Sequence, residues 1–236
     1  MTTKKFAQGL IVTVALCLSA TVGRAQDTTV FLMGGGSSLR DARTFYEAYV
    51  KFTTAYASGY RGIAGIEVPL RKSKVFGFEG SFAYGQNNLK LSNYNFNPPT
   101  VKSYGLRDSR WSGDLVAHSP SSYRGVRPYV VFGVEYDRLS PSRSASTLAT
   151  TTGFGSAPVA RLSSQSTGGV NFGGGIDLKM TSKLGLRLDV RDHVFGSPTF
   201  GLPSGPTSAS AAFFPVSGSA HDIEYSIGIV YHFGGK

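Results

Sequence analysis

Between Lys183 and Val194 the chain alternates with a period of two. Leu184, Leu186, Leu188 and Val190 share one face, and Gly185, Arg187, Asp189, Arg191 and His193 the other. That period belongs to extended chain, whose successive side chains point to opposite sides. From His221 to Phe233 it recurs with Ile223, Tyr225, Ile227, Ile229, Tyr231 and Phe233 against Asp222, Glu224, Ser226, Gly228 and His232, broken by Val230 alone. Val170 to Met180 sets Val170, Phe172, Ile176, Leu178 and Met180 against Asn171, Gly173, Gly175, Asp177 and Lys179. Pro128 to Tyr136 sets Val130, Phe132, Val134 and Tyr136 against Tyr129, Val131, Gly133 and Glu135. The first half of the chain is noisier. Ala64, Ile66, Val68 and Leu70 oppose Arg61, Gly65 and Glu67, and Phe76, Phe78, Phe82 and Tyr84 oppose Gly77, Glu79 and Ser81. Tyr104 to His118, with Trp111, Leu115 and Ala117 opposite Arg110, Ser112 and Asp114, and Thr28 to Gly36 complete eight candidate strands. Helical periodicity is nearly absent, and the chain reads as all-β.

The connections alternate between long and short: 37–59 long, 71–74 short, 86–103 long, 119–122 short, 137–166 long, 181–182 short, 196–220 long. A meander with every long loop at one end produces this rhythm. It is the layout of an antiparallel up-and-down transmembrane β-barrel, with short periplasmic turns and long outward loops. A soluble sandwich or lipocalin-like barrel would also alternate, with its charged face outside. Two features favour the inverted arrangement. The polar faces are dominated by Gly, Ser and charges of both signs, which suits a narrow lumen. Tyr60, Tyr84, Tyr104, Tyr136, Phe195, Tyr225, Tyr231 and Phe233 gather near segment ends, as aromatic girdles do at lipid interfaces.

The N-terminus reads as a secretory signal peptide over residues 1–25, followed by the barrel domain over 26–236. Lys4 and Lys5 precede an apolar stretch from Leu10 to Val22, and Gly23-Arg24-Ala25 places small residues before a cut near Ala25. The chain is thereby expected in the outer membrane of a Gram-negative envelope. Charged residues make up 16%, against roughly 25% in an ordinary soluble domain. The single cysteine, Cys17, lies inside the leader, so its removal excludes disulfide, thiol-nucleophile and cysteine-metal chemistry from the remainder. The basic excess points to an anionic lipid or polysaccharide surface rather than nucleic acid, which exported chains rarely meet.

Gly168 to Val190, reading GGVNFGGGIDLKMTSKLGLRLDV, resembles the penultimate hairpin of small eight-stranded outer-membrane β-barrel proteins of the opacity-protein and OmpA transmembrane type. The stretches 128–133 and 227–233 resemble their fifth and last strands. The resemblance implies that Ile229, Tyr231 and Phe233 form a C-terminal assembly signal read by the barrel-assembly machinery.

On this assignment of faces the lumen receives Arg61, Arg110, Lys179, Arg187 and Arg191 together with Glu67, Glu79, Asp114, Glu135, Asp177, Asp189 and Glu224. Buried charges of both signs must pair, because an unpaired one costs several kcal/mol. The expectation is a structural ion-pair plug, since eight strands enclose little more than their own side chains. A gated ion path is the alternative. His118, His193, His221 and His232 stand in no catalytic motif and at no metal-ligand spacing, so neither catalytic residues, a metal nor a cofactor is expected. The cluster Gly169, Gly173, Gly174 and Gly175 lacks the lysine and helix of a phosphate loop and reads as room in a crowded lumen.

The function read from these features is non-enzymatic: a porin-like barrel anchoring four long loops that serve envelope structure or surface interaction. The alternative is an adhesin that engages acidic polysaccharide or a host ligand through Arg40, Arg43, Lys51, Lys90, Lys102, Arg138, Arg143 and Arg161. A lipid-modifying barrel enzyme or a narrow channel ranks below both.

Overall fold

A computed structural model describes residues 28–40, 43–47, 50–70, 73, 75–93, 100–142, 162–201 and 218–233. The expected leader, Arg143 and Arg161 lie outside the described residues, as do the side chains of Arg40, Arg43, Lys51 and Lys102.

The strands are β1 (Thr29–Arg40), β2 (Arg43–Glu47), β3 (Val50–Pro69), β4 (Phe76–Asn93), β5 (Thr100–His118), β6 (Val126–Pro141), β7 (Gln165–Lys179), β8 (Leu184–Gly196) and β9 (Ser219–His232). Each pairs antiparallel with its neighbour in sequence from β3 to β9. β1 closes the ring, pairing β9 from Thr29↔His232 to Arg40↔His221 and β3 from Thr29↔Glu67 to Ser37↔Gly59. β2 pairs only the far end of β3, from Arg43↔Thr54 to Glu47↔Val50, and so prolongs β1 beyond the ring. The result is a closed eight-stranded up-and-down barrel whose ring, below β2, leaves no free edge, the form in which strands satisfy their backbone polar groups inside lipid.

The faces decide between a soluble and a membrane barrel. Phe132 is 60% and Ile229 59% exposed on the outside, while Arg187 is fully buried inside. Leu32, Phe78, Phe82, Val130, Val134, Phe172 and Ile227 continue the outer apolar belt. Tyr60, Tyr84, Trp111 and Tyr225 stand exposed along its edge toward the long connections. Phe82, Trp111 and Tyr136 form a continuous ledge there, with ring centroids 5.2 and 6.0 Å apart.

Two of the connections read as long loops are mostly strand. β3 begins at Val50, β4 runs to Asn93 and β5 starts at Thr100, so ladders occupy much of 37–59 and 86–103. The cause is physical. Above the lipid belt a ladder still satisfies backbone N–H and C=O groups, but nothing demands that side chains alternate, and the sequence signal lapses. The turn after β5 is longer than 119–122. Its chain reverses through Arg124 (φ 51°) and Gly125 (φ 82°) before β6 begins at Val126.

Candidate functional site

The lumen is filled by charge in two storeys, because the inward parity of seven strands carries Asp, Glu or Arg at matching heights. Toward the long connections, Arg61 on β3 donates to Asp108 (2.6 Å), Asp222 (3.0 Å) and Glu224 (3.0 Å). Beside it Arg110 on β5 donates to Asp137 (2.6 Å), Asp222 (3.0 Å) and Glu224 (3.4 Å). Ser37 donates to Asp222 (2.7 Å) and fixes its other oxygen. His193 Nδ1 meets Glu135 Oε2 at 2.5 Å.

The lower storey is centred on Arg187 and Arg191 of β8. Arg187 donates to Glu67 (2.9 Å), Glu79 (3.0 Å) and Asp177 (2.7 Å), and its guanidinium lies over the rings of Tyr129 (4.7 Å) and Phe31 (5.2 Å). Arg191 donates to Glu79 (2.8 Å), Asp114 (3.0 Å) and Asp189 (2.8 Å). Asn171 donates to Asp114 (2.8 Å), the Tyr129 hydroxyl to Asp189, and His118 Nε2 meets Glu67 at 2.6 Å. A planar five-donor guanidinium suits this role, since one group can hold three carboxylates in fixed directions. Between the storeys, bounded by Glu79, Arg191, Arg110, His193 and Glu224, lies a cavity of ≈ 10 Å³, about the space one water needs.

An apolar seal covers the upper storey. Leu39, Leu106, Leu139, Phe195 and Ala220 point into the mouth, and Leu162 and Phe200 fold over them from the connections β6–β7 and β8–β9. Phe200 is wholly buried. Its left-handed backbone (φ 54°) is held by Gln165, whose Oε1 accepts from the N–H groups of Thr199 and Phe200, both at 2.8 Å. Ser163 Oγ donates to the Phe200 carbonyl at 2.9 Å.

Eleven of the twelve lumen residues expected from sequence thus lie in these contacts. The exception is Lys179. It has the inward parity, but it is exposed at the end of β7 and forms no ion pair among the described residues, because there the flexible stem carries its ammonium out to water. Asp108, Asp137, Asp222, His118 and His193 are network members that the sequence reading left out. Asp108 stands two residues before Arg110, and Asp137 two after Glu135, so extending each parity by one step finds them. The glycines of β7 face backbone: a Cβ on Gly175 would run into the Leu188 carbonyl and the Tyr129 ring. Ile229, Tyr231 and Phe233 share the outer face of the last strand and the turn that follows it, the two rings edge to face at 4.9 Å.

Outside the barrel His221 Nδ1 meets Asp192 Oδ2 at 3.0 Å, but no serine hydroxyl is hydrogen-bonded to this imidazole among the described residues. No group of three or more His, Cys, Asp or Glu residues is placed to hold a metal ion among the described residues.

Comparison with known proteins follows the same lines. The family model described as outer membrane protein beta-barrel domain matches residues 10–233. The fold is similar to that of the outer membrane protein OprG from Pseudomonas aeruginosa, with a TM-score of 0.54 at 13% identity, covering 89% of this chain and 96% of that one. It is also similar to Neisserial surface protein A (NspA), with a TM-score of 0.51 at 12% identity, covering 87% of this chain and 97% of that one. No curated sequence matches the chain.

Proposed function

Because the chain belongs to the outer membrane β-barrel family, and so resides in the outer membrane, we propose that it is a non-enzymatic envelope protein whose filled barrel anchors extended hairpins and two long connections at the cell surface. The observation that carries this reading is the lumen. Among the described residues, two storeys of ion pairs under an apolar seal fill the lumen and leave no aqueous path of porin width through it. Its expected leader, cut near Ala25, and its delivery by the barrel-assembly machinery belong to the same proposal.

A second reading, an adhesin for acidic polysaccharide, draws on Lys90 and Arg138, both exposed toward the long connections. The two readings share a topology and differ in the role of the loops. A peptide tag inserted between residues 143 and 161 is expected to be labelled on intact cells, and the same tag at 181–183 only after permeabilisation. Labelling of the second tag on intact cells contradicts the orientation. Deleting 145–158 should leave barrel insertion unchanged, and only on the adhesin reading does Lys90→Gln/Arg138→Gln abolish binding to acidic polysaccharide. The mass of the outer-membrane glycolipid should be the same with and without the protein; a changed acyl pattern on expression contradicts the non-enzymatic reading.

A further inference from the structure

The carboxylates of this chain are unevenly spent. Among the described residues ten carboxylates, namely Glu67, Glu79, Asp108, Asp114, Glu135, Asp137, Asp177, Asp189, Asp222 and Glu224, line the lumen, against the four guanidiniums of Arg61, Arg110, Arg187 and Arg191. The outer face is left correspondingly positive. Among the described residues that face carries one carboxylate, Asp192 on β8, and His221 already holds it.

Above the aromatic ledge this imbalance becomes local. Arg107 on β5 and Arg138 on β6 are exposed and share the outward parity of Trp111 and Tyr136. The register pairs Trp111 with Tyr136, then Ser109 with Arg138, then Arg107 with Ser140. The two guanidiniums are therefore diagonal neighbours, roughly 7–8 Å apart at their Cα atoms. They stand directly over the Phe82–Trp111–Tyr136 ledge, with Lys90 higher on the adjoining β4. Neither guanidinium makes an ion pair or hydrogen bond with a described residue. Like charges on adjacent strands repel, and no described carboxylate on this side offsets them. The position is the top of the lipid belt, where aromatic side chains meet headgroups and where anionic lipid attracts juxtamembrane basic residues.

We propose that Arg107 and Arg138, over the Phe82–Trp111–Tyr136 ledge, form a binding site for the phosphate groups of a phosphorylated glycolipid in the surrounding leaflet. Each guanidinium offers a forked pair of N–H donors to phosphate oxygens, while the ledge meets the apolar shoulder beneath the headgroup. The site rests on the orientation of the envelope reading, with the long connections at the cell surface, and not on the filled lumen, so a conducting barrel would leave it standing.

Trp111 is the only tryptophan of the chain and lies in the proposed site, which makes its emission a local reporter. The full-length protein, folded into symmetric phosphatidylcholine vesicles, is titrated with dansyl-labelled bisphosphorylated lipid A or with the same lipid after dephosphorylation. Energy transfer from Trp111 is read in both series. Symmetric vesicles remove any dependence on which way the loops face. For the wild type, transfer should saturate with the phosphorylated lipid, and Arg107→Gln/Arg138→Gln should need about tenfold more of it for half-saturation. Arg138→Gln alone, expected to need about threefold more, carries the comparison if the double variant does not fold. Lys179→Gln/Lys183→Gln, which removes two positive charges at the opposite rim, should match the wild type. Equal half-saturation by the wild type and both glutamine variants overturns the site, as does equal transfer to the dephosphorylated lipid. Displacement of the labelled lipid by a soluble sulfated polysaccharide at micromolar concentration would overturn the lipid assignment in favour of a surface polysaccharide.

Discussion

Replacing Arg187 with alanine should lower the melting temperature of the detergent-folded barrel by on the order of 10 °C, the largest stability effect of any single lumen substitution. Arg187 is fully buried and holds Glu67, Glu79 and Asp177 together, so its removal leaves three carboxylates facing one another in a water-poor interior. Removing one partner from a buried ion pair costs about 3–5 kcal/mol, and each kcal/mol shifts the midpoint of a domain this size by roughly 2–4 °C. Tyr129 and Phe31 also lose the cation that lies against their rings. Arg187→Lys should fall between the two, since an ammonium cannot fork toward three acceptors as a guanidinium does. Adding Asp177→Asn to Arg187→Ala should restore part of the loss, since Arg187 is the guanidinium that holds Asp177 whereas Glu79 keeps Arg191. The measurement is the temperature at which the folded band converts to the unfolded one on unboiled gels, supported by circular dichroism. A shift of under about 2 °C for Arg187→Ala would mean that the storey contributes little to holding the barrel.

How much of this was legible in the sequence follows from what lipid demands of a strand. Inside the belt every outward residue must be apolar, and the stretches of β6, β8 and β9 that cross it could be read from alternation alone. Where β4 leaves the belt at Gln86 its sequence runs Asn87-Asn88-Leu89-Lys90, and no face can be told from the other. The ladder continues to Asn93 all the same, because backbone pairing does not depend on those side chains. Arg61, Arg110, Arg187 and Arg191 could be placed in the lumen by parity, but their partners could not, since Arg187 and Glu67 are 120 residues apart and meet only once the ring closes. Phe200 and Leu162 carried no signal of any kind. They lie at the edges of connections rich in Ser, Thr, Pro and Gly, and their burial depends on Gln165 and Ser163 holding a non-repeating turn over the mouth.

A charge on the outer face of the last strand should have the largest effect on assembly. Ile229 faces lipid between Leu32 of β1 and Leu186 of β8, at the seam where the barrel closes. A lysine near the bilayer midplane of such a barrel costs about 2–4 kcal/mol, and here the same residue must also pair an open edge until closure. Ile229→Lys is expected to reduce the urea-resistant membrane fraction at least about tenfold. Phe233→Ala, which removes only the edge-to-face partner of Tyr231, should reduce it by a smaller factor. Insertion of Ile229→Lys at the wild-type level would remove the outer ridge of β9 from any part in assembly.

Single-channel recording in planar bilayers shows whether the barrel interior is closed. With Arg61 and Arg110 tied to five carboxylates above, Arg187 and Arg191 to five below, and Phe200 sealing the mouth, the wild-type protein should give no sustained steps above baseline over a range of holding potentials. Steady currents of porin size from the wild-type protein would contradict a filled lumen.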